Sequence, residues 1–159
     1  MRIRIVAALL ISAAFAAVAG AQTQTRQYAA KFICGKASDE QVKAFLAAPG
    51  IYYTAINVHN PRLERPIRFQ KKFALGQPNE KVGKISRWVR GELKADETMQ
   101  IDCGNIYEHL GIPPGTFIEG FAVIQPTLEL DVVGVYTAEA GNGVATLHME
   151  RVPLRLTSP

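Results

Sequence analysis

Apolar residues alternate with polar ones in short runs along most of the chain, and Gly, Pro and Asn punctuate the gaps between runs. A period of two places successive side chains on opposite faces of an extended segment, so each run reads as a half-buried strand. The pattern predicts strands at 27–34, 51–59, 66–75, 86–93, 98–103, 116–125, 128–138 and 143–155. The 66–75 and 128–138 runs show it well: Ile67, Phe69, Phe73 and Leu75 take one face of the first, and Leu130 and Val132 one face of the second. Many short strands with regular turn signals predict an all-β fold, a single-domain antiparallel β-sandwich of immunoglobulin-like type. Its expected core is Ile56, Val58, Phe69, Phe73, Phe121, Val123, Leu130 and Val132. Hairpins are expected at Gln125–Thr127 and Ala140–Gly143, where Pro126, the glycines and Asn142 suit tight turns.

Two stretches break the period of two. In "ASDEQVKAFLAAPG", Ser38 is placed to cap a helix with Gln41 three residues on, and Pro49-Gly50 stops it. Val42, Phe45 and Leu46 then share a face that would seal one edge of the core. A shorter helix is expected in "GNIYEHLG", ending at Gly111.

The first residues have a different character. Arg2 and Arg4 precede an apolar run from Ile5 to Val18 that ends in Ala19-Gly20-Ala21, the form of a secretory signal peptide cleaved after Ala21. The run is shorter than the ~20 apolar residues a membrane span requires. Residues 1–21 are therefore expected to be the leader and 22–159 the β-sandwich domain, secreted or periplasmic. Export would put Cys34 and Cys103 in an oxidising compartment, where one disulfide between them is expected. A redox pair would use a C-x-x-C spacing and a zinc site would need two further ligands, and neither is present around these cysteines.

Charge is unevenly distributed. Between residues 62 and 90 stand nine basic residues against two acids, +7 in 29 positions, while the whole chain carries only +4. Arg62, Arg65, Arg68, Lys71, Lys72, Lys84, Arg87 and Arg90 form the candidate anion-binding set. Lys71 breaks the alternation of its strand, so a bulge at Lys71-Lys72 is expected. The partner is an anionic envelope surface or another protein; nucleic acid fits poorly, because aromatics do not interleave with the charges as a stacking platform requires.

The octapeptide "TAINVHNP", residues 54–61, is the strongest alternative. On a strand Asn57 and His59 project together as a polar patch, with Asn60-Pro61 as the turn. A small metal-dependent or hydrolytic enzyme using His59 and Asn57 is the runner-up function, but no acid or second histidine lies at ligand spacing in the sequence. His109 near a helix end and His148 on the last strand are isolated too, and Asp131 is read as a carboxylate meeting water. No H-E-x-x-H, G-x-S-x-G or phosphate-binding glycine loop occurs. No cofactor, metal or catalytic residue is expected.

Taken in order, "YAAKFICG", "TAINVHNP", "FQKKFAL", "MQIDCGNI" and "GFAVIQPTLELDVVGVYTA" resemble a group of small secreted bacterial β-sandwich proteins of unknown function. The resemblance implies a signal peptide, a compact sandwich and paired cysteines at Cys34 and Cys103. At the level of pattern the chain is also similar to the β-sandwich transducers that partner microbial sensory rhodopsins, a likeness of fold that implies no function. The expected function is a non-catalytic binding or scaffolding domain, drawn to anionic envelope components through residues 62–90.

Overall fold

A computed structural model describes residues 24–44, 47–140 and 145–158. The leader expected at 1–21, the turn at 141–143 and the pair Phe45–Leu46 lie outside the described residues. The elements run β1 (Thr25–Lys36), α1 (Asp39–Lys43), β2 (Ile51–His59), β3 (Ile67–Gly76), β4 (Val82–Ile85), β5 (Val89–Leu93) and β6 (Thr98–Asp102), then α2 (Cys103–Leu110), β7 (Ile118–Pro126), β8 (Asp131–Glu139), β9 (Ala145–Arg151) and β10 (Arg155–Thr157). The named strand pairs are all antiparallel, as the all-β sandwich expectation requires.

Hydrogen bonding follows the path β4-β3-β7-β1-β2-β8-β9, with β5 on β3, β10 on β1 and β6 on β2. The path turns from one layer to the other within β1, whose Tyr28–Cys34 segment pairs with β7 while Gly35 and Lys36 pair with Tyr52 and Ile51 of β2. Gly35 occupies that corner at φ +91°, and a Cβ there would strike the backbone of Thr116. Only glycine tolerates both demands.

Between the layers lie Tyr28, Phe32, Phe73 and Ile124 from the first sheet and Ile56, Val58, Ile101, Leu130 and Val132 from the second, all essentially without solvent contact. Phe32 and Phe73 meet edge to face at 6.4 Å, a favoured aromatic geometry. The Tyr28 hydroxyl donates to the Leu130 carbonyl at 2.6 Å and accepts from the Leu130 amide at 3.0 Å. Burial raises the Tyr28 pKa and keeps that donor protonated. Helix α2 has a reciprocal cap between Asp102 and Asn105 and ends at Gly111 with φ 60°. Its Ile106 and Leu110 close the core. Cys34 and Cys103 form the expected disulfide, with Cα atoms 5.8 Å apart, tying the end of β1 to the first residue of α2. The hallmark of immunoglobulin sandwiches, a buried Trp beside the bridge, is not used, since Trp88 lies at the surface.

Several expectations are corrected. Val123 is only half-buried and Phe121 is 45% exposed; β7 turns Ile118, Ala122 and Ile124 inward instead. The space opposite the centre of β7 is filled by Phe32 and Phe73, so Gly120 and Ala122 suffice there: a Cβ on Gly120 would meet the Phe32 ring. Gln125–Thr127 is not a hairpin, because β7 pairs with β1 and β3 whereas β8 pairs with β2 and β9. Thr127 is held on the Arg68 carbonyl of β3 by its amide and hydroxyl, and the chain crosses to the other layer. Of the expected strand 86–93 only Val89–Leu93 forms, as edge strand β5, and a separate edge strand, β4, precedes it at Val82–Ile85. At the break, Ser86 exchanges ladder bonds with Phe73 through both its amide and its hydroxyl. The run 143–155 is divided at Val152–Leu154, where Pro153 cannot donate to a ladder. Helix α1 has the predicted Ser38–Gln41 capping box but spans five residues and buries none of them, so among the described residues it does not seal the core.

Lys71 is the most consequential departure. Strand β3 pairs with β7 in unbroken register from Phe69 to Gly76, with no bulge at Lys71-Lys72. The plain alternation therefore carries Lys71 inward beside Phe69 and Phe73, where it is 9% exposed. Burial lowers its pKa below the usual lysine value.

Candidate functional site: a basic sheet face

With Lys71 turned in, the remaining charges of β3 and β5 fall on the outer face of the first sheet. Arg68 stands opposite Glu92 and Gln70 opposite Arg90 in the β3–β5 ladder, so the four side chains share that face. Arg68 Nε donates to Glu92 Oε2 at 2.8 Å. Among the described residues, no carboxylate pairs with Arg90 or Lys72. The Lys72 ammonium lies over the Trp88 ring, 4.5 Å from its centroid.

A row of glutamines crosses three strands beside these cations. Gln70 Nε2 donates to Gln125 Oε1 at 3.0 Å, and Gln125 Nε2 donates to Gln27 Oε1 at 3.2 Å. Next to the row an open cleft of about 680 Å³ is lined by Arg68, Gln70, Arg90, Gln125, Thr25 and Thr127 among others. Glu92 also lines the cleft and holds Arg68, so among the described residues Arg90 is the guanidinium there without a carboxylate, and it is the group that suits an anionic or heavily oxygenated ligand.

The other basic candidates are dispersed. Arg62 and Arg65 sit on the exposed loop after β2. That loop is fixed by Asn60, which is completely buried. Its Nδ2 donates to the carbonyls of Arg65, Leu93 and Lys94 at 3.0, 3.1 and 2.8 Å, and its Oδ1 accepts from the Arg62 amide at 3.0 Å. Lys84 donates to the Leu110 carbonyl at the end of α2, a structural use of its charge. Arg87 is exposed at the β4–β5 break.

The Asn57–His59 patch lies on the outer face of the other sheet. Strand pairing brings His59 two acids that are remote in sequence: its Nε2 is 3.0 Å from Asp96 Oδ1 and its Nδ1 is 3.6 Å from Asp131 Oδ2. Asp131 is bound in turn by Arg151 at 2.5 Å. This chain latches β2 to the β5–β6 turn, β8 and β9. Asn57 faces Gln100 and Val133 in the ladders and takes no part in it. Among the described residues no three His, Cys, Asp or Glu side chains converge as metal ligands. His109 stacks on Phe73 at 5.5 Å and His148 on Tyr136 at 6.1 Å, so both have packing roles. Tyr136, its pKa raised by burial and by the hydrogen bond to Glu150, remains a donor.

Asn60, the glutamine row and Trp88 were not singled out from sequence, and Phe121 was expected in the core. Only the Asn-Pro dipeptide pointed to the first, and as a turn. No family model and no curated protein matches the sequence. Among solved structures, the crystal structure of Thermotoga maritima 1070 matches with a TM-score of 0.51 at 10% identity, over 80% of this chain and 92% of that one. At that identity the likeness is one of fold alone.

Proposed function

We propose that the chain is a secreted or periplasmic, non-catalytic binding domain that holds an anionic partner against the outer face of β3 and β5. The observation that carries the reading is the convergence of Arg68, Lys72 and Arg90 on that face, with Lys72 and Arg90 lacking a carboxylate partner among the described residues. Their fields add over distances comparable to the ~8 Å screening length at physiological salt. The leader-like N-terminus and the Cys34–Cys103 bridge support an oxidising location, and no helix among the described residues is long and apolar enough to cross a membrane.

The test is binding to a soluble acidic polysaccharide, heparin, at low and high salt. The wild type should bind at low salt and lose affinity as salt rises, and Lys72→Glu with Arg90→Glu should abolish binding while the fold is kept, since both side chains lie on the outer sheet face, away from the core. Binding that survives both reversals, or no binding at low salt to heparin or to any other anionic surface, refutes the proposal.

A further inference from the structure

The same face holds more than charge. Across the β1–β7–β3–β4 ladder, Lys31, Phe121, Ala74 and Ile85 stand side by side on the outer surface, and the next row contains Ala29, Val123 and Lys72. Phe121 is 45% exposed, Ile85 55% and Trp88 38%. The two aromatic rings each lie beneath an ammonium: Lys31 is 5.5 Å from the Phe121 centroid and Lys72 4.5 Å from that of Trp88. At the centre of β7 Phe121 points out while its neighbours Gly120 and Ala122 point in, between the inward Ile118 and Ile124. A strand that only needed to pack its own core gains nothing from an outward Phe.

We infer that the anionic partner is the surface of an anionic phospholipid bilayer, with Trp88, Phe121 and Ile85 entering the headgroup region and Lys72 and Arg90 contacting the phosphates, while Lys31 is held by Glu119 at 2.6 Å. The inference rests on the proposed anion-binding function and names its partner. Charge complementarity argues for the anionic surface, since each Lys or Arg near such a leaflet strengthens association about five-fold. The apolar residues decide between lipid and a soluble polyanion. An acidic polysaccharide offers exposed Phe and Ile no drier environment, whereas the boundary between headgroups and acyl chains does, and it is where Trp and the stems of Lys side chains partition. The layout also suits a planar target, because Lys72, Trp88, Phe121 and Ile85 lie outside the neighbouring cleft, which Arg90 borders.

Trp88 is the only tryptophan of the chain, so its emission reports directly on the contact. The purified protein is mixed at low salt with vesicles of equal phosphatidylglycerol and phosphatidylcholine, with vesicles of phosphatidylcholine alone, and with heparin. The expected result is a blue shift of Trp88 emission and co-sedimentation with the anionic vesicles, at least about ten-fold weaker binding to the neutral ones, and no blue shift with heparin. Phe121→Ser, and separately Ile85→Ser, should weaken vesicle binding about ten-fold, as loss of a partly buried apolar side chain does. Both should leave heparin binding unchanged, which also shows that each variant is folded. If heparin binds while the anionic vesicles give no blue shift, or if neither serine variant weakens vesicle binding, the lipid inference is overturned and the polyanion-binding function stands. If neither probe binds at low salt, both fall.

Discussion

Asn60 gives the sharpest test of how this fold is held. It is fully buried at the end of β2, and one side chain supplies donors to three carbonyls on two separate segments while accepting from the Arg62 amide. Asn60→Ala removes all four contacts. The Leu93 carbonyl is buried and would be left without that donor, at a cost of ~1–3 kcal/mol; the three partly buried groups each lose a bond of ~0.5–1 kcal/mol net. The expected destabilisation is about 3 kcal/mol, measured by urea melts with unchanged m-value. Asn60→Asp is nearly isosteric, but turns an acceptor toward the three carbonyls. Burial and the lost donors raise the folded-state pKa of the new carboxyl above its unfolded value near ~3.9. The folded state then holds the proton more tightly, so stability falls as pH rises through this range. At neutral pH the Asp variant should be less stable than the Ala variant, and the gap should narrow on acidification toward ~4. A loss below ~1 kcal/mol for Asn60→Ala, or an Asp variant as stable as wild type at neutral pH, would refute the assignment.

Two further outcomes follow from the core. Replacing Cys34 and Cys103 with alanine opens a loop spanning a separation of 69 residues, which in the chain-entropy model removes about 4 kcal/mol; denaturant melts of the wild type with and without reductant should show a loss of similar size, and a shift under ~1 kcal/mol would contradict it. Lys71→Met keeps the length of the buried stem and removes the desolvated charge, so it should stabilise the fold by about 1 kcal/mol at neutral pH. The folded pKa of Lys71 is lowered, so the wild type gains stability as pH rises toward ~10 and the advantage of Met should shrink over that range; a constant gap in melts at several pH values would show that the ammonium is fully hydrated.

How much of this was legible differs from element to element, for physical reasons. Strand β2 is found at 51–59 as predicted because its alternation is clean on both faces. Helix α2 was legible from its Gly111 stop, and the disulfide from two cysteines behind a leader-like N-terminus. The His59 latch was not, because Asp96 and Asp131 lie 37 and 72 positions away and only sheet register joins them. Lys71 was misplaced by an argument from polarity: a bulge was invoked to keep a lysine out of the core. A lysine can instead bury its stem and lead its ammonium toward water, and the regular ladder with β7 outweighs the desolvation.

The misread face of β7 has the same origin and a larger consequence. Alternation divides Phe121 and Val123 from Ala122 and Ile124, but it does not say which pair faces the core. Side-chain size favours Phe121 inside, and on an isolated strand that choice would bury more apolar area. In the folded sheet β7 lies between β1 and β3, whose Phe32 and Phe73 already occupy the space above it. A second layer of large rings from β7 would overfill a close-packed interior. The core thus leaves Gly120 and Ala122 inside at the centre of β7, between Ile118 and Ile124, yet it imposes no Phe outside. An exposed Phe121 beneath Lys31, and a Trp88 beneath Lys72, are therefore unexplained by packing. That surplus of apolar surface, beside a Lys72 and an Arg90 without a carboxylate partner among the described residues, is the reason to look for a partner on this face and not at the His59 latch, whose groups are paired with one another.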